Sequence, residues 1–415
     1  MSRESTAVAI AGGGAVGLAC AFALADAGYA AVLFDPAPGR GASSGNAGGI
    51  TPGWVAPLAT FSTLRAVPGM LRDPLSPLAI RPAYLPRLLP WLLRFAVAAS
   101  RAEQVSRALA ALTLTAYEDW SAFAARAGVS ALLRRQGLLY AYASKASRDA
   151  AESGHAFRRR RGVRLEAFDG AALRRFAPML APDYCHAVYA PDAGHFADPS
   201  ALCDGLAAAF VAKGGRIVEE SVDDVRSVPA GFDIATKTAT WRAARFVLCA
   251  GAHSRPLARK LGARVPLDVE RGYHAMLPDP GIDLPAQMID GEGKYALTSM
   301  PGGLRVAGTV EFAGLDAPPD WRRAERLMAN ARRLLPDLRV RDPAFWMGFR
   351  PSLPDGLPII GPAPADKRAI FAFGHAHLGI TLAAITASLV AELVAGRAPR
   401  IDLAPYAADR FHSWF

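Results

Sequence analysis

The glycine cluster at Gly12-Gly13-Gly14, followed by Gly17, constrains the fold more than any other feature of the chain. Before it, Val8-Ala9-Ile10-Ala11 is a short apolar run suited to a strand buried on both faces of a parallel sheet. After it, Ala15 to Ala27 is rich in helix formers and stops at Gly28. Ala31-Val32-Leu33-Phe34 predicts a second strand, and Asp35 closes it about 20 residues past the glycines. Each part of this dinucleotide-binding pattern has a physical job. Gly12 permits the tight turn, Gly14 lets backbone N–H groups approach a pyrophosphate, and Gly17 lets the helix pack close to the strand. Ala15 and Val16 open a helix whose N-terminus carries partial positive charge. Asp35 is expected to accept hydrogen bonds from a ribose.

Thr6 to Phe34 is apolar enough to pass for a secretory signal or a membrane span. Gly12, Gly13, Gly14, Gly17 and Gly28 punctuate it, however, and Asp26 and Asp35 interrupt it, so a folded element is expected. With 52% hydrophobic and 20% charged residues, disorder is excluded. The net charge of +10 is almost wholly arginine, since lysine occurs only at 145, 213, 237, 260, 294 and 367. The dense run Arg158 to Arg161, beside Arg164, reads as a solvated face, and no nucleic-acid partner is expected. Cys20, Cys185, Cys203 and Cys249 lack C-x-x-C spacing, which predicts a reduced, cytoplasmic protein without disulfides. The histidines show no ligand spacing with acids or thiols, so no metal is expected.

A second small-residue loop, Gly39 to Gly49, bears on the cofactor's length. Ser43, Ser44, Asn46, Ala47, Gly48 and Gly49 place hydroxyls, an amide and open backbone where a cofactor continues from its pyrophosphate. A nicotinamide nucleotide has no evident use for such a loop, whereas FAD runs along it to the isoalloxazine. Phe246 to Ser254 reads as a buried strand with a glycine turn at Gly251. Ala369 to Phe373 predicts another strand, followed by a loop with Gly374, His375, Gly379, Ile380 and Thr381. An amphipathic helix over Leu382 to Ala395 would then aim its positive end at the flavin and favour the anionic reduced ring.

Taken with Phe349-Arg350-Pro351 and Pro354-Asp355-Gly356, these segments resemble the FAD-dependent D-amino-acid oxidase superfamily from residue 6 to about 396. The Ser44-Gly45-Asn46-Ala47-Gly48 loop leading into Thr51-Pro52-Gly53-Trp54 is most similar to the bacterial D-amino-acid dehydrogenase branch. Arg271-Gly272-Tyr273-His274 departs from the D-alanine type and is more similar to hydroxy-D-proline dehydrogenase-like relatives. The resemblance implies oxidative deamination of D-amino acids, with hydride passing from Cα to flavin N5 to give an imino and then a 2-oxo acid. Electrons would pass to a quinone or electron-transfer protein rather than O2. The alternatives are an O2-using oxidase of glycine or sarcosine-type amines, and a flavoprotein subunit of an electron-transfer complex.

Arg350 follows an apolar strand-like run and suits bidentate anchoring of a carboxylate, the role the resemblance implies for it. The resemblance also implies that Tyr295 hydrogen-bonds that carboxylate and that the backbone of Val222 contacts adenine. Tyr273 and His274 are further pocket candidates, with Arg271 and Lys294 the next basic residues to consider as anchors. His375 and His377 invite a base reading, but His375 fits the FAD loop, and an amine that binds neutral needs no base. The resemblance implies that a covalent attachment cysteine, as in the sarcosine-oxidase-like branch, would lie six residues before Pro354, where this chain has Gly348. Residues 36–60 hold no histidine, so the FAD is expected to be noncovalent.

The expected fold class is α/β: a Rossmann-like FAD-binding domain with a parallel sheet, plus an α+β substrate domain with an antiparallel sheet. The cofactor domain is expected from residues 1–55, 150–262 and 350–415, and the substrate domain from 56–149 and 263–349. Asp198-Pro199 fits a helix cap running to about Lys213, with Arg216 to Glu219 and Val222 as strands beyond it. Gly303 to Val310 predicts an antiparallel strand over the flavin. Residues 55–100 are proline-rich and apolar, including Trp91-Leu92-Leu93. Ordinary helical packing is the expected reading there, and peripheral contact with the inner membrane is the other.

Overall fold

A computed structural model describes residues 3–73 and 75–414. Arg3–Ala11 runs parallel to Ala31–Phe34 on one side and to Thr240–Leu248 on the other, with Ile10 in register with both Leu33 and Val247. Arg216–Val218 extends the parallel set beside Ala31–Phe34, and Ala369–Phe373 extends it beside Thr240–Leu248. Val8, Ile10, Leu33 and Val247 are wholly buried, as the strands of a sheet covered on both faces must be. The helices Ala15–Asp26 and Gly379–Val394 pack over one face. Asp198 caps Pro199–Ala212 by accepting hydrogen bonds from the backbone of Ser200 at 2.8 Å and Ala201 at 3.1 Å.

The second sheet has nine strands and is mainly antiparallel. Its centre is Asp268–Leu277, paired antiparallel with Gly303–Phe312 and Ala344–Ser352. Side chains along a strand alternate between faces. Tyr273, Ala275 and Leu277 therefore join the core under the helix Arg322–Leu334, while Glu270 and Gly272 face the cofactor loops. The ladder slips between Arg271 and Tyr273, and Thr309 on the neighbouring strand has φ 63°.

Several expectations need correction. Residues 150–190 contribute Glu166–Phe168 and His186–Ala190 to the second sheet, where His186–Ala190 pairs with Leu138–Tyr142, rather than to the cofactor side. Ala102–Thr113 and Ala116–Ala127, assigned by sequence to the substrate side, pack on the cofactor side instead. There the Trp120 Nε1–H donates to the Ile380 carbonyl at 2.7 Å. Val222 lies in an irregular segment between strands and packs into the core. The last long helix begins at Gly379 and is buried along most of its surface, so it is a core helix and not an amphipathic one. Ala376–Val394 is long and apolar enough to cross a membrane by length and composition, but its residues pack against Ala15–Asp26. Residues 1, 2 and 415 of the expected cofactor stretches, and residue 74 of the substrate stretch, lie outside the described residues.

The proline-rich region folds in part as expected. In the helix Leu85–Ala99, Leu88 and Trp91 are buried. Leu85, Leu89 and Leu93 recur every fourth residue, and each is about half exposed, at 45%, 50% and 52%.

Candidate active site

Where the two sheets face each other, one cavity of about 1080 Å³ runs from Gly12 and Asp35 past Ser43 to Arg350. That volume exceeds the few hundred Å³ needed by a small ligand alone. At its deep end the glycine turn is sterically obligatory. Gly12 has φ 105°, and a Cβ there would lie 2.4 Å from the Cys249 carbonyl oxygen. A Cβ at Gly17 would lie 1.8 Å from the Gly12 carbonyl oxygen, so the helix rides against the turn. Asp35 accepts the Gly13 N–H at 2.6 Å and the Ala37 N–H at 2.8 Å, with lone pairs left over on each oxygen. Gly14, Ala15 and Val16 line the cavity at the helix N-terminus. The Ser43 hydroxyl accepts from the Ala15 N–H at 2.9 Å.

The small-residue loop is held from outside by the antiparallel sheet. Arg305 donates to the carbonyls of Ser44 at 3.0 Å and Asn46 at 2.5 Å. The His274 Nδ1–H donates to the Gly45 carbonyl at 2.9 Å, and Gln287 and Thr298 both donate to Ala47 at 3.0 Å. Burial brings Arg305 down to about 10 and His274 to about 4, so His274 is a neutral donor at working pH. Thr381, at the start of the last helix, donates to the Gly49 carbonyl at 2.9 Å. Gly379, Ile380 and Thr381 line the cavity, so that helix points its positive end into it.

Arg350 sits at the far end. Its guanidinium lies over Gly272, where a Cβ would come within 2.2 Å of the Arg350 Cζ. It donates one hydrogen bond, to the Thr309 carbonyl at 2.8 Å, and forms no salt bridge among the described residues. Burial pulls its pKa below the ordinary arginine range, and the charge of Glu270 opposes that. Glu270 is paired with Arg350 across the ladder and is 4% exposed. One Glu270 oxygen accepts the Ser352 hydroxyl at 2.6 Å, and the other meets His377 Nε2 at 2.9 Å. Burial would raise the pKa of this carboxyl, but His377, Ser352 and Arg350 together hold it below its usual value. Trp54 stacks on His377 at 6.0 Å.

Among the residues singled out from sequence, Asn46, Ala47, Gly49, Gly251, Gly374 and His375 also face the cavity. Gly17, Ser44, Gly48, Val222 and His274 act from behind its wall or lie off it. His375 Nε2 pairs with the Thr386 hydroxyl at 3.0 Å, and burial lowers it to about 3, which leaves it neutral. Tyr273 and Tyr295 both line the cavity, with their hydroxyls engaged by protein partners. The Tyr295 hydroxyl donates to the Asn330 carbonyl at 2.9 Å, away from Arg350. The Tyr273 hydroxyl donates to Glu311 at 2.5 Å and accepts the Asp320 N–H at 3.0 Å on the opposite face of the sheet. Arg271 shares that face and is bound to the Gly314 and Pro318 carbonyls. Arg271 lies off the cavity, whereas Tyr273, just past the slip in the ladder, reaches its wall, and the bare sequence does not reveal that irregularity. Sequence reasoning missed Glu270, Thr309, Gln287 and Arg305. Each is a polar residue in a strand pattern, and that was the signal available.

The nested glycines, the clamped loop and the inward helix N-terminus form an extended cradle that fits FAD. A family model described as FAD dependent oxidoreductase matches residues 7–393. A D-amino-acid oxidase of Bradyrhizobium diazoefficiens is 37% identical, covering 98% of this chain and 99% of the relative. A D-amino acid dehydrogenase 2 of Ralstonia nicotianae is 34% identical, covering 97% and 100%. Among solved structures, a glycine oxidase from Geobacillus kaustophilus superposes with a TM-score of 0.75 at 24% identity, over 98% of this chain and 99% of that one. With its cradle, its two-sheet fold and a match over nearly its whole length, the chain belongs to the DAO family of FAD-dependent oxidoreductases.

Proposed function

We propose that the protein oxidises D-amino acids at Cα and delivers the electrons to a respiratory or other non-O2 acceptor. The carrying observation is Arg350, a half-buried guanidinium at the cavity wall with one backbone hydrogen bond and no salt bridge among the described residues. Its remaining N–H donors have no hydrogen-bond partner among the described residues, and a substrate carboxylate in bidentate contact would supply one. FAD, when bound, supplies the hydride acceptor. The chain's residues orient Cα towards it and exclude water. The names of the two relatives, one an oxidase and one a dehydrogenase of D-amino acids, support the substrate class. The exposed Leu85, Leu89 and Leu93 support peripheral membrane contact and a membrane-borne acceptor. All four cysteines are free thiols, which suits a reducing compartment.

The test is anaerobic bleaching of the flavin across a panel of D- and L-amino acids that includes both hydroxyproline series. Reduction by D-amino acids, but by neither their L-enantiomers nor amines lacking a carboxylate, is expected. In Arg350→Lys, which keeps the charge but loses the planar fork, kcat/KM should fall on the order of 10²-fold with FAD content unchanged. Equal losses for substrates with and without a carboxylate would move the anchor elsewhere. Turnover with O2 alone as fast as with a quinone analogue would overturn the acceptor half.

A further inference from the structure

His377, half-buried, stands apart from the buried histidines in its surroundings. Its Nε2 is fixed by Glu270 at 2.9 Å, Glu270 is itself fixed by Ser352 at 2.6 Å, and Trp54 stacks on the ring. Among the described residues nothing hydrogen-bonds His377 Nδ1, and the side chain lines the cavity with 24% of its surface open. A carboxylate holding one ring nitrogen sets the tautomer and leaves the other as a lone-pair acceptor. The charged and titratable groups facing it are Glu270 from Asp268–Leu277 and, behind Glu270, Arg350 from Ala344–Ser352. Asp355, in the adjoining loop, is bound to Arg410 at 2.8 Å.

Spacing completes the argument. Glu270 and Gly272 are successive residues on one strand face, about 7 Å apart. Arg350 lies over Gly272 and His377 lies against Glu270. Both side chains therefore border the same stretch of cavity wall, so an α-amino acid with its carboxylate on the arginine would turn its nitrogen towards the histidine. Glu270 accepts from Ser352 and His377 and acts on Arg350 through its charge, while the one hydrogen bond of Arg350 among the described residues goes to Thr309.

We propose that His377, oriented by Glu270, is a catalytic base that takes the proton from the substrate's ammonium group. This rests on the D-amino-acid reading given above. The N–H bond breaks with its electron pair left on nitrogen, and the proton passes to Nδ1. The resulting imidazolium keeps its Nε2–H on the Glu270 carboxylate. The Cα–H bond then breaks with its pair, which leaves as hydride, and FAD, when bound, would supply the acceptor. The nitrogen lone pair closes the C=N bond, leaving an iminium for water to hydrolyse. This revises the expectation that no base is needed, because the sequence did not place Glu270 beside His377.

His377→Gln keeps a donor to Glu270 but accepts no proton at neutral pH. Rapid-mixing flavin reduction at pH 7 should slow on the order of 10²-fold or more. The rate should recover as pH rises towards values where the free amine is already neutral. Propionate, which has the carboxylate without the amine, should perturb the flavin spectrum with the wild-type Kd, because Arg350 is intact. Glu270→Gln should slow flavin reduction at pH 7 as well, since the carboxylate that orients the ring is gone. An unchanged pH profile in His377→Gln, or weakened propionate binding there, would overturn the assignment while leaving the D-amino-acid reading in place. A wild-type flavin that no D-amino acid reduces would overturn both.

Discussion

A methyl group at position 17 would sit 1.8 Å from the Gly12 carbonyl oxygen, and both atoms belong to rigid backbone. Gly17→Ala should therefore push the helix off the turn and give a protein purified without flavin. Asp35→Ala removes only the side chain that accepts from Gly13 and Ala37 and faces the cavity. It should weaken FAD binding by roughly 1.5–3 kcal/mol, the worth of a charge-assisted hydrogen bond. Titration with FAD should then restore much of its turnover, and turnover that stays lost with flavin fully bound would give Asp35 another role. At this scale the glycine turn was legible from local sterics, and Asp35 and Arg350, singled out as charges at the ends of apolar runs, stand on the cavity wall. Tyr273 and Tyr295 reach the cavity wall and Arg271 does not, a difference set by sheet face and by the slip in the ladder rather than by local sequence. Glu270 was invisible, being 82 residues from Ser352 and 107 from His377.

Elements repeat the contrast. The strand at Ala31–Phe34 and the cap at Asp198 appear at the predicted residues, since short-range patterning determines both. The last helix was given an amphipathic face, and the structure buries it because Ala102–Thr113 and Ala116–Ala127 cover its far side. No local pattern announces that covering. In Leu85–Ala99 the reverse occurs, with an apolar stripe left uncovered while Arg87 and Arg94 share the helix. Replacing Leu85, Leu89 and Leu93 together by serine should abolish co-sedimentation with vesicles containing anionic lipid, with flavin content unchanged. Wild-type protein that ignores such vesicles would remove the membrane reading.

At the scale of the whole molecule, four buried histidines tie the fold to pH. Burial lowers His155, His195 and His274 to about 4 and His375 to about 3, against 6.5 in the unfolded chain. Between those limits the unfolded state binds more protons, so stability falls as pH drops from about 6.5 towards 4. Each histidine contributes up to about 1.4 kcal/mol per pH unit in that window. The Tm should be nearly flat from pH 7 to 8.5 and decline steeply below 6.5. A flat Tm down to pH 5 would show these histidines to be accessible to protons in the native state. The parallel half of the molecule was legible because its strands are consecutive apolar runs with glycine punctuation. The antiparallel half, drawn from 78–80, 138–190 and 268–352, is assembled by long-range pairing that composition does not record. Its hold on the cofactor loop also bears on how such a molecule can change over time. Arg305, His274, Gln287 and Thr298 grip carbonyls at Ser44, Gly45, Asn46 and Ala47, atoms that every amino acid carries. The grip is therefore indifferent to which side chains the loop displays. Mutation can retune the loop's chemistry towards the ring while its path stays the same, and the cavity-facing residues of the sheet can drift to new substrates without releasing the cofactor.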